Sequence, residues 1–66
     1  MMVELYDYEG ELELYAEWDE DEGSWNCHYE GEDYTFITVQ EVCSFLAGVA
    51  NVADWPKWSI KFDGDL

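Results

Sequence analysis

The 66-residue sequence predicts an α+β domain: an antiparallel sheet of about four strands packed against one helix, in the order β-β-β-α-β. Three observations carry that expectation. Apolar and polar residues alternate from Leu12 to Trp18, from Trp25 to Tyr29 and from Trp58 to Phe62, the period of strands with one buried face. Between Val39 and Ala53 the apolar residues recur instead at helical spacing. The apolar share is 48%, with four Trp, five Tyr and three Phe, which closes a core where disordered acidic segments lack the residues to do so.

Val3 to Tyr8 is the first predicted strand, ending at Glu9-Gly10, where glycine permits the positive φ of a tight hairpin. In the second, Leu12, Leu14, Ala16 and Trp18 form an apolar face, while Glu11, Glu13, Tyr15 and Glu17 point the other way. Asp19-Glu20-Asp21-Glu22-Gly23-Ser24 reads as a turn, and Trp25, Cys27 and Tyr29 mark the buried side of a third strand. Glu30-Gly31-Glu32-Asp33 is a further turn, followed by a short extended piece from Tyr34 to Ile37. Thr38 with Glu41 three residues on is a capping-box pattern, and Val39, Val42, Cys43, Leu46, Val49, Ala50 and Ala53 give the helix, over 39 to 52, one apolar stripe. Gly48 leaves room on it for an aromatic side chain of the sheet. Asp54-Trp55-Pro56 ends the helix. Trp58, Ile60 and Phe62 then alternate with Lys57, Ser59 and Lys61 in a last strand, and residues 63 to 66 form a frayed end. Trp18, Trp25, Tyr29, Phe45, Trp58 and Phe62 fall on inward positions. Tyr15 stands among carboxylates, as a contact residue would.

No linker or repeat divides the chain, so residues 1 to 66 form a single acidic domain. A domain of this length buries only about 60% of the surface its unfolded chain exposes, which leaves little room for a catalytic cleft. A thin core rich in aromatics also favours an exposed apolar patch, and with it a homodimer. Two cysteines, Cys27 and Cys43, are too few for the disulfide framework of a small secreted domain, and the first residues carry neither a basic nor an apolar leader segment. Reduced thiols and a cytoplasmic location are therefore expected.

Charge is the dominant feature: 17 Asp and Glu face 2 Lys and no Arg, for a formal net charge of −15. A magnitude of about 2–8 already keeps a small domain soluble, and the excess repels itself in the folded state. Thirteen of the 17 acids lie within residues 4 to 33. Direct binding to nucleic acid has the wrong electrostatic sign. Calcium would suit Asp19, Asp21 and Glu30 at positions one, three and twelve of an EF-hand loop, but the sixth position is Ser24 where glycine is required. Zinc would need Cys27 and His28 on one side of a strand, and adjacent residues point apart. No nucleophile–base arrangement or phosphate-cradling glycine loop is present, so neither an enzyme nor a cofactor or metal is expected.

What remains is a surface for a basic partner, made by Glu9, Glu11, Glu13, Tyr15 and Glu17 on the second strand and its approach. The turn acids Asp19, Glu20, Asp21 and Glu22 and the cluster Glu30, Glu32 and Asp33 would extend it. Evenly spaced carboxylates can occupy a groove that otherwise pairs Lys and Arg with phosphates. In size, charge and lack of catalytic motif the chain resembles the small acidic proteins with which phages and mobile elements block host defence, the DNA-mimic anti-restriction and anti-CRISPR class. That resemblance implies an inhibitor whose target is a host nuclease or nucleic-acid-binding complex. Membrane contact is not expected, because no stretch approaches the 18 apolar residues of a span. An immunity-like module that binds a basic protein without imitating nucleic acid is the alternative.

Overall fold

The computed structural model of the chain describes residues 1–64. It is an α+β fold in which strands β1 (Met2–Tyr6), β2 (Leu12–Asp19), β3 (Ser24–Tyr29), β4 (Glu32–Phe36) and β5 (Ser59–Asp63) form one antiparallel sheet. The order across the sheet is β4-β3-β2-β1-β5, and helix α1 (Val39–Val52) covers one face.

The number of strands is five because the β3–β4 connection is shorter than the acid run suggests. Glu30 and Gly31 alone form the loop, with φ of 51° and 80°. Two consecutive left-handed residues give a hairpin turn whose twist matches the flanking strands. The ladder therefore resumes at once, with Glu32 opposite Tyr29 and Asp33 opposite His28.

The β1–β2 connection departs in the other direction. β1 stops at Tyr6, and Asp7 folds the chain back: its Oδ1 accepts the backbone N–H groups of Glu9 and Glu11, both at 2.9 Å. Glu9 and Glu11 consequently belong to the turn and not to the strand. Leu5 faces Leu14 whereas Tyr6 faces Leu12, so Glu13 is an extra residue in β2. Such a bulge breaks the alternation, and Leu12 is left exposed where an inward position was expected.

The core lies between α1 and the sheet and is built from Val3, Leu5, Leu14, Ala16, Trp25 and Cys27 below Val42, Leu46, Val49 and Ala50. Thr38 caps α1 as its sequence requires. Thr38 Oγ1 accepts the Glu41 N–H at 3.2 Å, and Glu41 Oε1 accepts the Thr38 N–H at 3.0 Å. The other end closes with Asp54 at φ 59°, its N–H donating to Asn51 and that of Trp55 to Ala50, a left-handed stop that satisfies the last carbonyls before Pro56. Phe45 fills the sheet side near β4, with ring centroids 4.7 Å from Tyr34, 5.2 Å from Phe36 and 6.1 Å from Tyr29. Trp18 packs edge-on against Trp25 at 5.4 Å. Gly48 takes no part in this aromatic packing, since nothing lies within 4 Å of where its Cβ would be. Phe62 is a second exception: it sits on the core side of β5, beyond the cover of α1, and is half exposed. Asp63, expected to fray, closes β5 opposite Met2, while residues 65–66 of the anticipated frayed end lie outside the described residues.

Candidate binding face

Because Val3, Leu5, Leu14, Ala16, Trp25 and Cys27 point to α1, their strand neighbours point to the other side of the sheet. No element covers that side among the described residues, and the registers fix who stands beside whom. Met2 and Glu17 share a row with Asn26 and Thr35; Glu4 stands opposite Tyr15 and Lys61; His28 stands opposite Asp33. The open face thus carries Glu4, Glu13, Glu17, Asp33 and Asp63. A shallow cavity of about 640 Å³ runs across its centre, bordered by Glu13, Tyr15, Glu17, Asn26, His28 and Asp33, with Glu22 reaching in from the β2–β3 turn.

Of the acids expected to form the surface, Glu13, Glu17, Glu22 and Asp33 meet here, around Tyr15. Tyr15 is 45% exposed, the accessibility a contact residue needs. Glu9 and Glu11 are held in the β1–β2 turn. Asp19 is occupied in building the next turn, accepting the N–H groups of Asp21 at 2.9 Å and Glu22 at 3.2 Å. Glu20 and Asp21 project from that turn, Glu30 from the β3–β4 loop, and Glu32 lies on the α1 side of edge strand β4. The expected continuous line is therefore replaced by a two-dimensional patch with acidic turns at its ends. Glu4, Asn26, His28, Thr35, Lys61 and Asp63 were not foreseen in it. For Glu4 the signal was present, since Val3 and Leu5 are the apolar members of β1 and set its phase.

Few positive charges answer these carboxylates. His28 Nδ1 lies 2.8 Å from Asp33 Oδ1, the one contact between a basic side chain and a carboxylate within 4 Å among the described residues. Lys61 Nζ sits 4.8 Å above the Tyr6 ring, a cation–π placement, with Glu4 opposite in the neighbouring strand. Two carboxyls share a hydrogen bond instead. Asp7 is held below the usual carboxylate range, first by the Glu11 N–H it accepts, and Glu13 is pushed up, first by its hydrogen bond to Asp7 and then by desolvation. Of the two, Glu13 is therefore the carboxyl that takes up a proton first as pH falls.

No family model, curated protein or solved structure matches the chain. The site stands on its own chemistry.

That chemistry bears on the alternatives. Asp19 and Asp21 are separated from Glu30 by all of β3, with strands on both sides in place of helices, so an EF-hand loop cannot form. Cys27 is buried on the core side while His28 is exposed on the open side, and both thiols are free; burial pushes the Cys27 thiol up, away from the thiolate a metal would bind. Asp7, Glu9 and Glu11 bring carboxylate oxygens within 4.8 Å of one another, but the backbone of the same turn already holds Asp7. No helix among the described residues is long and apolar enough to cross a membrane.

Proposed function

We propose that the chain is an inhibitor that binds a basic nucleic-acid-binding protein or nuclease complex through the open face of its sheet. It would act without catalysis or a cofactor, by anti-CRISPR or anti-restriction mimicry of nucleic acid in a bacterial host's cytoplasm. One observation carries this reading. An uncovered sheet face brings together Glu4, Glu13, Glu17, Asp33 and Asp63, against His28 and Lys61 as its only basic side chains among the described residues. Side chains on one face recur at about 6.6 Å along a strand and about 4.8 Å between strands, a density of anions that suits a groove lined with Lys and Arg. A rigid sheet holds those carboxylates in place before binding, so less ordering is needed on contact. Attraction of this kind speeds association and weakens as salt screens it.

A second reading is favoured by the middle of the face, where Tyr15, Asn26, His28 and Thr35 are uncharged or weakly basic. An immunity-like module that reads one basic protein by hydrogen bonds and stacking would use such a centre, without imitating nucleic acid.

Capture from bacterial lysate at low salt, followed by challenge with duplex DNA or RNA, tests the two. The first reading expects a nuclease or guide-RNA complex that nucleic acid displaces and that the Glu13→Lys/Glu17→Lys variant no longer retains. Retention indifferent to nucleic acid, yet lost in that variant, would move the assignment to the second. Retention unchanged by the variant would sink both.

A further inference from the structure

We propose that β5 is a self-recognition edge, through which two copies of the chain pair their β5 strands antiparallel about a two-fold axis centred on Phe62. β5 is one of two sheet edges, hydrogen-bonded to β1 on one side only. An edge presents a row of N–H and C=O groups that can template another strand. Its pairing with β1 runs without a bulge from Met2–Asp63 to Tyr6–Ser59, so the edge is regular over its whole length. α1 packs chiefly on β1, β2 and β4, which leaves Phe62 52% exposed although its cross-strand neighbour Val3 is fully buried. The apolar layer therefore ends abruptly at this edge.

Charge selects a second copy as the occupant and β5 as the place. The other edge, β4, carries Glu32 and Asp33 directly after Glu30, and pairing it with itself about Tyr34 would set Asp33 against Thr35 and Glu32 against Phe36, with no cation to answer either acid. Residues 55 to 64 hold Lys57 and Lys61 against Asp63 alone, the one stretch of a chain with net charge −15 in which basic residues outnumber acids. The register follows from the same residues. With Phe62 opposite Phe62, each Lys61 stands opposite Asp63 of the second copy, and Ile60 opposite Gly64. Centring on Lys61 would oppose two ammonium groups. Centring on Ile60 would set Lys61 against Ser59 and run Asp63 past the start of the partner strand. A one-residue slip would turn the core side of one copy toward the open side of the other. In the chosen register both helices lie on one face, and the two Phe62 rings extend the apolar layer across a ten-stranded sheet. The open acidic faces then lie together on the opposite side.

Sedimentation equilibrium from micromolar to millimolar protein at about 0.15 M salt, where screening acts beyond roughly 8 Å, tests the proposal. The expected species has twice the 7.8 kDa chain mass. Lys61→Asp alone and Asp63→Lys alone should each raise the dissociation constant at least about tenfold, because each turns two attractive pairs into repulsive ones. The double exchange Lys61→Asp/Asp63→Lys should restore association to within about threefold, while Asp33→Lys on the opposite edge should not reduce it. Far-UV circular dichroism confirms that each variant is folded. Amide hydrogen exchange of the unaltered protein gives a second readout, with protection of β5 rising with concentration and that of β4 constant. A monomer at every concentration would overturn the proposal and leave Lys61 as a guard of the edge; so would single reversals without effect, or a double exchange that stays monomeric.

Discussion

Two glycines that look alike by space should respond oppositely to the same substitution. Gly48 lies in the third turn of α1 and Gly31 in the β3–β4 loop, and at both an added Cβ would meet nothing within 4 Å. Packing therefore contributes to neither Gly48→Ala nor Gly31→Ala, and backbone conformation decides. Gly48 has no left-handed φ, and alanine in an exposed helix interior is favoured over glycine by about 0.8–1.0 kcal/mol. Gly31 has φ 80°, a region where a Cβ is opposed by about 1–2 kcal/mol. For a domain of this size 1 kcal/mol moves the melting temperature by about 4–8 °C. Thermal and urea melts at fixed pH and salt should thus show Gly48→Ala about 4–8 °C more stable and Gly31→Ala less stable by a similar or larger amount. A Gly48→Ala variant that melts lower than the parent would refute the reasoning, because it would mean that something does occupy that space. Equal effects at both sites would show that the loop is not left-handed.

The remaining expectations concern the cap and the charge. Thr38→Ala removes the acceptor of the Glu41 N–H and should lower stability by about 1 kcal/mol, seen as a lower urea midpoint with an unchanged slope. Glu13→Gln should raise the melting temperature at neutral pH, since it removes a carboxylate whose charge is disfavoured beside Asp7 and Glu11. The folded-state pKa of Glu13 is raised, so the stability tied to its protonation is present below the ordinary carboxylate range and lost as pH rises through the raised value. The advantage of the variant should accordingly vanish on acidification; an advantage that grows in acid would contradict the shared proton. Added salt should stabilise the whole molecule. At 0.01 M the screening length is about 30 Å, comparable to the 35 × 25 × 18 Å body, so the carboxylates repel one another across it, whereas at 1 M it is about 3 Å. A melting temperature that falls over this range would show that attractive pairs outweigh the repulsion.

How much of this was legible beforehand depended on how local each cause is. The cap and the span of α1 are written in adjacent residues, and the structure has both; the stripe holds from Val39 to Ala50, while Ala53 caps the helix end and is exposed. The inward set of β3 was equally plain, because Trp25, Cys27 and Tyr29 alternate without interruption. β4 reads as only a short piece because Glu32 and Asp33 are poor strand formers, and only their pairing to β3 overrides that preference. The line of acids on β2 failed at Glu9 and Glu11 for a different reason: Asp7 captures their N–H groups and turns the chain. Alternation within a strand points Leu12 and Phe62 inward, while a bulge and an uncovered edge are properties of neighbours. The open face as a whole was hidden for the same reason. It joins Glu4, Glu13, Glu17, Asp33 and Asp63 from four strands, and a single strand shows at most two of them.

The acids divide by what they do. Asp7, Asp19 and Glu41 each accept two backbone N–H groups and shape the two turns and the helix start, so the fold itself accounts for them. The carboxylates of the open face have no such role among the described hydrogen bonds, and the chain supplies hardly any cation to answer them. Their mutual repulsion lowers stability in the isolated protein, and a basic partner that binds only the folded form would offset it. Such a partner adds about 2.7 kcal/mol at a hundred times its dissociation constant. Two salt dependences of opposite sign then coexist. Salt alone stabilises the free protein by screening, whereas the increment from the partner shrinks as salt weakens its binding. A polycation attracted only by net charge loses its increment whichever acids are altered, in proportion to the charge removed. A partner seated on the open face loses it for Glu13→Gln/Glu17→Gln and keeps it for Glu20→Gln/Asp21→Asn in the turn, although both pairs remove the same formal charge.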